Sequence, residues 1–194
     1  MKIAIDIGHA NNTGARGNGH EEHEVASKLA LRIQHRLAKK GYDVDIIDFP
    51  YLSNKDDLNK TITAANTGGY DFGISLHLDS ASRTVEKEED GELVRYEVPN
   101  PVPHGAHVCY YPSSNKGKKL ASCIAQYLAK LLPGRAETIV GRPDLAILKR
   151  TVPVWVLCEC GFITNGGDLN IVWNSPEDVV DAIECGIDKY ISLK

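Results

Sequence analysis

Apolar periodicity in this chain switches repeatedly between the period of two expected of strands and the period of about 3.6 expected of helices, and that alternation constrains the fold more than any other feature. Residues 2–7, Lys2-Ile3-Ala4-Ile5-Asp6-Ile7, read as a short buried strand. Gly8 to Gly19 reads as a loop, because Asn11-Asn12-Thr13-Gly14 and Gly17-Asn18-Gly19 are breakers in series. Residues 22–40 read as a helix in which Val25, Leu29, Ile33 and Leu37 form one stripe, and Gly41 follows Lys39-Lys40 as its stop. Val44 to Ile47 is a second strand. Ser53-Asn54-Lys55-Asp56 has the form of a capping box, with a helix running to Asn66. Tyr70 to Leu78 is a third strand after the Gly68-Gly69 break.

The second half repeats the pattern. Ala106 to Tyr111 reads as a strand, and Lys116 to Leu132 as a helix ended by Pro133-Gly134. Leu145 to Leu148 and Val152 to Cys158 read as two more strands. Ser175-Pro176-Glu177-Asp178 opens a last helix to Ser192, with Ser175 as cap and Pro176 in first position. Strands alternating with helices predict an α/β fold: a single domain with a mostly parallel central sheet of about six strands and helices on both faces. Residues 81–104 break the rhythm. Glu86-Lys87-Glu88-Glu89-Asp90-Gly91-Glu92 is polar and turn-forming between two β-like arms, and Pro99, Pro101 and Pro103 stiffen the exit. This stretch is expected to project as a hairpin-like excursion.

Composition narrows the classes of function. The 194 residues are 42% hydrophobic and 25% charged, with a formal net charge of -4. That balance suits a globular domain with its own core and argues against nucleic-acid binding through a broad basic face. No apolar run is long enough to insert in a membrane. The first residues read as a strand carrying Asp6, not as a signal peptide, so the expectation is a chain made in the cytoplasm. The five cysteines are odd in number and fall within periodic segments, which reads as buried thiols and not a disulfide framework.

The unusual residues stand where strands end, the edge at which open α/β sheets place ligands. His9 follows the first strand, His77 closes the third, and Glu159 closes the last. Two imidazoles and a carboxylate at one sheet edge suit zinc. Taken singly, His9 reads equally well as an exposed loop histidine and His77 as a satisfied core histidine. Glu159 follows a mainly apolar strand, where a free carboxylate is expensive. Cys158 and Cys160 alternate around it and are expected to face the other way as packing thiols. On the first helix Glu22 shares the azimuth of the buried stripe, whereas Glu24 falls nearly opposite and Glu21 is intermediate. By itself, a carboxylate in a first helical turn is better explained by the helix dipole.

Together these segments resemble the zinc-dependent N-acetylmuramoyl-L-alanine amidases of bacterial autolysins and phage endolysins. The resemblance runs through Ile3-Ala4-Ile5-Asp6-Ile7-Gly8-His9 and the helix from Glu22 to Gly41. It continues through Ala64-Ala65-Asn66 and Asp71-Phe72-Gly73-Ile74-Ser75-Leu76-His77. It closes with Val152-Pro153-Val154 through Glu159-Cys160-Gly161-Phe162-Ile163-Thr164-Asn165 and Asp168. Asp79 stands where the family usually has Asn, Cys160 where an aliphatic residue is common, and Ala10 where a second glycine is frequent.

The resemblance implies that residues 1–194 form a zinc amidase catalytic domain. It implies one Zn2+ per chain on His9, Glu22 and His77, with Glu159 as catalytic acid/base. The substrate implied is peptidoglycan, cut at the amide bond between N-acetylmuramic acid and the L-alanine of the stem peptide, with action on the cell wall after release from the cytoplasm. Two alternatives stand beside it: a non-catalytic wall-binding or regulatory module on the same fold, and a zinc peptidase cutting another amide.

Overall fold

The computed structural model describes residues 1–10, 13–89 and 92–193; the Asn11-Asn12 breakers and the Asp90-Gly91 turn lie outside the described residues. In chain order the elements are β1 (Lys2–Ile7), β2 (Arg16–Gly17), β3 (His20–Glu21), α1 (Glu22–Lys39), β4 (Asp43–Ile47), α2 (Asn54–Thr67), β5 (Phe72–Asp79) and β6 (Ser82–Glu89). They continue with β7 (Glu92–Pro99), β8 (His107–Tyr110), α3 (Asn115–Leu131), β9 (Ile139–Gly141), α4 (Ala146–Arg150), β10 (Val154–Phe162), α5 (Gly166–Asn174) and α6 (Pro176–Ser192).

Six strands form the central sheet in the order β4-β1-β5-β10-β8-β9. The first four are parallel, β8 runs antiparallel to β10, and β9 runs parallel to β8. The sheet is covered on both faces, as parallel strands require. On one face Ile3, Ile5, Ile74, Leu76, Val156 and Cys158 belong to a core shared with α1, α3 and α6. On the other, Ala4, Trp155 and Leu157 meet Ile62 and Ala65 of α2 and Ile147 of α4. Cys158 and Cys160 do lie on the face opposite Glu159's neighbours Trp155 and Leu157.

The helices follow from their sequences. The stripe Val25, Leu29, Ile33 and Leu37 of α1 is fully buried. Lys40, just after α1, and Arg36 reach Glu184 of α6, which is buried between these cations. Ser53 caps α2 by accepting the Asp56 N–H at 3.2 Å, while its hydroxyl donates to the Asp56 carboxylate at 2.7 Å. Ser114 caps α3 from the Gly117 N–H at 3.0 Å.

Two local expectations are corrected, and two elements form where the sequence pattern marks none. Leu145–Leu148 is not a strand; Ala146–Arg150 forms the short helix α4, and only Ile147 and Leu148 of it are buried. A four-residue apolar run does not distinguish the two by period. The sixth strand is Ile139–Gly141, which is too short to show alternation and exists because it pairs with β8. Gly166–Asn174 is a helix although it opens on two glycines, since the Asn165 side chain caps it from the Gly167 and Asp168 N–H groups at 2.9 and 3.0 Å. Ser175 makes no side-chain cap to α6. Its N–H instead ends α5 on the Ile171 carbonyl.

β6 and β7 pair as the expected hairpin, a separate two-stranded ribbon with Val85 opposite Tyr96 and Lys87 opposite Val94. It leaves the sheet directly after Asp79 and is exposed over most of its length.

Candidate metal centre and active site

Backbone register assembles the site. Ile7 of β1 and Cys158 of β10 both pair with Leu76 of β5. One residue further on, His77 pairs with Glu159, and Glu159 pairs with His107 of β8. Residues in register share a sheet face. His77, Glu159 and His107 therefore form a row across three adjacent strands, on the α2 and α4 side.

Gly8 continues that row on β1, where its N–H donates to the Leu76 carbonyl at 3.0 Å. A Cβ at this position would lie 2.2 Å from the His77 ring, so glycine is what lets the imidazole lie flat against the backbone. His9 then turns sharply, at φ 62°, in the left-handed region that non-glycine residues rarely enter. Its ring meets the His77 ring edge-on with centroids 5.0 Å apart.

Glu22 arrives from the opposite face, at the start of α1, and is 2% exposed. Its Oε1 accepts the Leu78 N–H and the His77 Nδ1–H, each at 3.0 Å. Its Oε2 accepts the Ala15 N–H at 2.8 Å and lies 3.5 Å from His9 Nε2. Donor atoms of His9, Glu22 and His77 all lie within 4.8 Å of one another, and they are the one group of this kind among the described residues that could hold a metal ion. The flanking glutamates go elsewhere. Glu21 pairs with Arg16 at 2.6 Å, and Glu24 lies 3.5 Å from His20.

The electrostatics suit a cation. Burial opposes the charge of Glu22, but the hydrogen bond from His77 and the charges of His77 and His9 outweigh it and lower its pKa. Burial likewise opposes protonation of His77, yet the Glu22 hydrogen bond and the carboxylates of Glu159, Glu22 and Asp6 raise it to about 9. This cluster of buried carboxylates thus demands positive charge beside two imidazoles. Burial lowers the pKa of His9, and its Nδ1 is buried with no hydrogen-bond partner among the described residues. A borderline-soft divalent ion on two imidazoles and one carboxylate matches that donor set.

Glu159 is apart from the triad. Burial, reinforced by Asp79 and Glu22, raises its pKa to about 7. Its Oε2 is buried with no hydrogen-bond partner among the described residues. Just beyond it β10 bulges, where the register slips between Glu159 and Phe162. The bulge turns on Gly161 at φ 97°, a conformation open to glycine. Asp168 of α5 holds it in place: Oδ2 accepts the Phe162 N–H at 2.9 Å and the Gly105 N–H at 2.7 Å. Asn165 adds a bond from its amide to the Pro101 carbonyl at 2.6 Å. The residues after the hairpin are thereby tied to the strand that carries Glu159.

Beside His9 and His77 a cavity of about 150 Å3 opens toward α2 and α4, walled by Asn54, Asp57, Leu58 and Ile147 among others. Of the remaining histidines, His23 pairs with Asp48 at 3.0 Å and His20 stacks on Trp173 with centroids 4.1 Å apart. His107 belongs to the row beside Glu159, a place that sequence alone does not give, because only strand pairing relates the two.

A family profile described as N-acetylmuramoyl-L-alanine amidase matches residues 3–189. The chain belongs to the N-acetylmuramoyl-L-alanine amidase family. Family members are generally zinc-dependent. The chain is similar to amidase LytC of Bacillus subtilis (strain 168), 29% identical over 171 residues, covering 86% of this chain and 30% of that protein. It is also similar to amidase CwlM of Bacillus licheniformis, 32% identical over 89 residues, covering 43% of this chain and 34% of that protein. This amidase-family chain thus spans about a third of the length of the curated relatives it matches. Among solved structures, the catalytic domain of the CD27L endolysin targeting Clostridia difficile superposes with a TM-score of 0.79 at 27% identity, covering 97% of both chains. No helix among the described residues is long and apolar enough to cross a membrane.

Proposed function

We propose that residues 1–194 act as one zinc amidase catalytic domain that hydrolyses the amide bond between N-acetylmuramic acid and the L-alanine of the peptidoglycan stem peptide. His9, Glu22 and His77 would hold one Zn2+, and Glu159 would be the acid/base. The observation that carries the reading is the placement of Glu159 in register beside His77, on a chain whose family profile covers nearly its whole length. An intact ligand triad with an adjacent buried carboxylate speaks against a non-catalytic wall-binding module.

Bound to that triad, zinc supplies a Lewis acid for the amide carbonyl and makes water a stronger acid. Glu159, with a pKa of about 7, exchanges a proton readily near neutrality. Its carboxylate takes a proton from the attacking water as the water oxygen bonds to the lactyl carbonyl carbon. It returns that proton to the alanine nitrogen as the C–N bond breaks. The second water proton stays on the lactyl carboxyl and then passes to the amine or to solvent, so the products are a lactyl carboxylate and L-alanine with a free amino terminus, and no side-chain nucleophile is needed. Glu22 stays ionised and fixes His77 through the Nδ1 hydrogen bond.

Mass spectrometry of digested peptidoglycan, with and without a chelator, tests the proposal. A new L-alanine amino terminus that disappears with chelator and returns with zinc is expected. Cleavage of glycan or cross-bridge, or chelator-resistant cleavage, would reject it. The cell wall is the place of action this reading assigns, and peptidoglycan the partner.

A further inference from the structure

The third member of the row, His107, is not accounted for by the triad or by Glu159. It is 4% exposed and lies directly opposite Glu159 on the neighbouring strand. Its Nδ1 is buried and faces the Asp79 Oδ2 at 3.5 Å, and neither atom has a hydrogen-bond partner among the described residues. Asp79 is two strands away in the sheet. It reaches across because β10 bulges between them and the Asp79 carbonyl accepts the Ile163 N–H at 2.8 Å. Asp79 in turn lies 3.9 Å from Arg135, whose guanidinium is over the Phe162 ring. An Arg135–Asp79–His107 arrangement thus flanks Glu159 on the side away from the triad.

We propose that His107 is a substrate-binding residue whose Nε2 accepts a hydrogen bond from a backbone N–H of the stem peptide, next to the amide being cut. This rests on the amidase reading above and assigns a contact within it. The argument is one of tautomer and place. The Asp79 Oδ2 faces Nδ1 at 3.5 Å, longer than a formed hydrogen bond, and an oxygen there favours the ring form with hydrogen on Nδ1, which leaves Nε2 as an acceptor. A substrate whose carbonyl sits at the His9, Glu22 and His77 cluster and whose leaving nitrogen reaches Glu159 must continue along the row. Adjacent strands are about 4.8 Å apart, so the next group in that direction is His107, within reach of the peptide beyond the reacting nitrogen. An acceptor there suits a peptide, whose backbone presents N–H donors. The surroundings keep the ring in its accepting form: burial first, then the cations Arg135 and Arg142, push its pKa down to about 4. The other charged groups near it are Asp79 from β5 and Glu159 from β10.

Two conservative variants separate this role from a structural one. Gln places its amide near the position of Nε2, whereas Asn places it near Nδ1. His107→Gln retains an acceptor for substrate, and His107→Asn retains only a polar group facing Asp79. Both are assayed on uncross-linked peptidoglycan strands by counting released L-alanine amino termini, with zinc content and melting temperature as controls for metal and fold. His107→Asn should lose about tenfold or more in kcat/KM, the worth of one lost hydrogen bond to substrate. The loss should fall in KM, because the contact exists before and during reaction. His107→Gln should recover most of that loss. Equal losses, a larger loss in the Gln variant, or wild-type kinetics in both would overturn the assignment. Wild-type enzyme that releases no L-alanine termini from these strands would sink the amidase reading and this contact with it.

Discussion

Glu22 and Leu78 are joined by a hydrogen bond from the Leu78 N–H to Glu22 Oε1 at 3.0 Å, so the first turn of α1 is clamped to the end of β5 one residue past His77. The bond explains how a carboxylate from one sheet face reaches imidazoles on the other. It also fixes which glutamate of the first helical turn does so.

Glu22→Ala should lower zinc affinity by more than the roughly 10–100-fold typical of losing an outer-shell partner. Glu21→Ala and Glu24→Ala should stay near wild type, because those side chains only meet Arg16 and His20 at the surface. Glu22→Gln, which keeps an acceptor for Leu78, serves as the variant least disturbed in fold. Competition titration with a zinc indicator ranks all four. Loss of metal in the Glu24 variant with retention in the Glu22 variants would contradict this geometry.

Glu159→Gln should keep zinc and melting temperature while turnover falls by about 10²- to 10⁴-fold, the usual worth of a general acid/base. Steady-state kinetics with elemental analysis on the same preparation checks this. Lysis at the wild-type rate would remove Glu159 from the chemistry.

Asp168→Ala should destabilise the fold by about 2–4 kcal/mol, since two buried N–H groups, those of Phe162 and Gly105, lose their acceptor. Asp168→Asn should lose less, because one amide oxygen remains. Activity should fall in step, as the bulge after Glu159 loosens. Denaturant unfolding beside a wall-lysis assay reads both, and full activity in a clearly destabilised Ala variant would unlink the bulge from catalysis.

Asp57 gives a pH prediction. Burial first, then the charges of Asp6 and Asp48, raise its pKa from 3.8 to about 6. A carboxyl whose pKa is raised on folding is favourable while protonated. Its stability contribution is intact below the unfolded value and is lost as pH rises through about 6. Asp57→Asn should therefore match wild type near pH 4 and exceed it by about 1–3 kcal/mol at pH 8. Melting curves across that range decide the matter; a gain confined to low pH would reverse the sign.

The hairpin at 82–99 should govern which walls are cut. It is a separate ribbon that begins just after Asp79 and carries none of the triad. Replacing it with a tight turn should leave zinc bound and shift relative rates among walls of different stem-peptide chemistry. Loss of zinc from the otherwise folded variant would assign the hairpin to the site itself.

The sequence by itself determined the α/β class, the hairpin and the register of α1. Those depend on local periodicity and on breakers such as Gly41 and Gly68-Gly69, which act within a few residues of themselves. It also marked His9, His77 and Glu159, because polar groups at the ends of apolar runs stand out along the chain, whereas Glu22 stood out by its azimuth on the first helix and took its ligand role from the family resemblance. Tertiary structure decided the rest. Leu145–Leu148 became helical and Ile139–Gly141 became a strand because segments so short take their conformation from what they pack or pair with. His107 entered the row beside Glu159 through an antiparallel pairing between strands about fifty residues apart. No spacing along the chain encodes that relation; the hydrogen-bond register between β8 and β10 creates it.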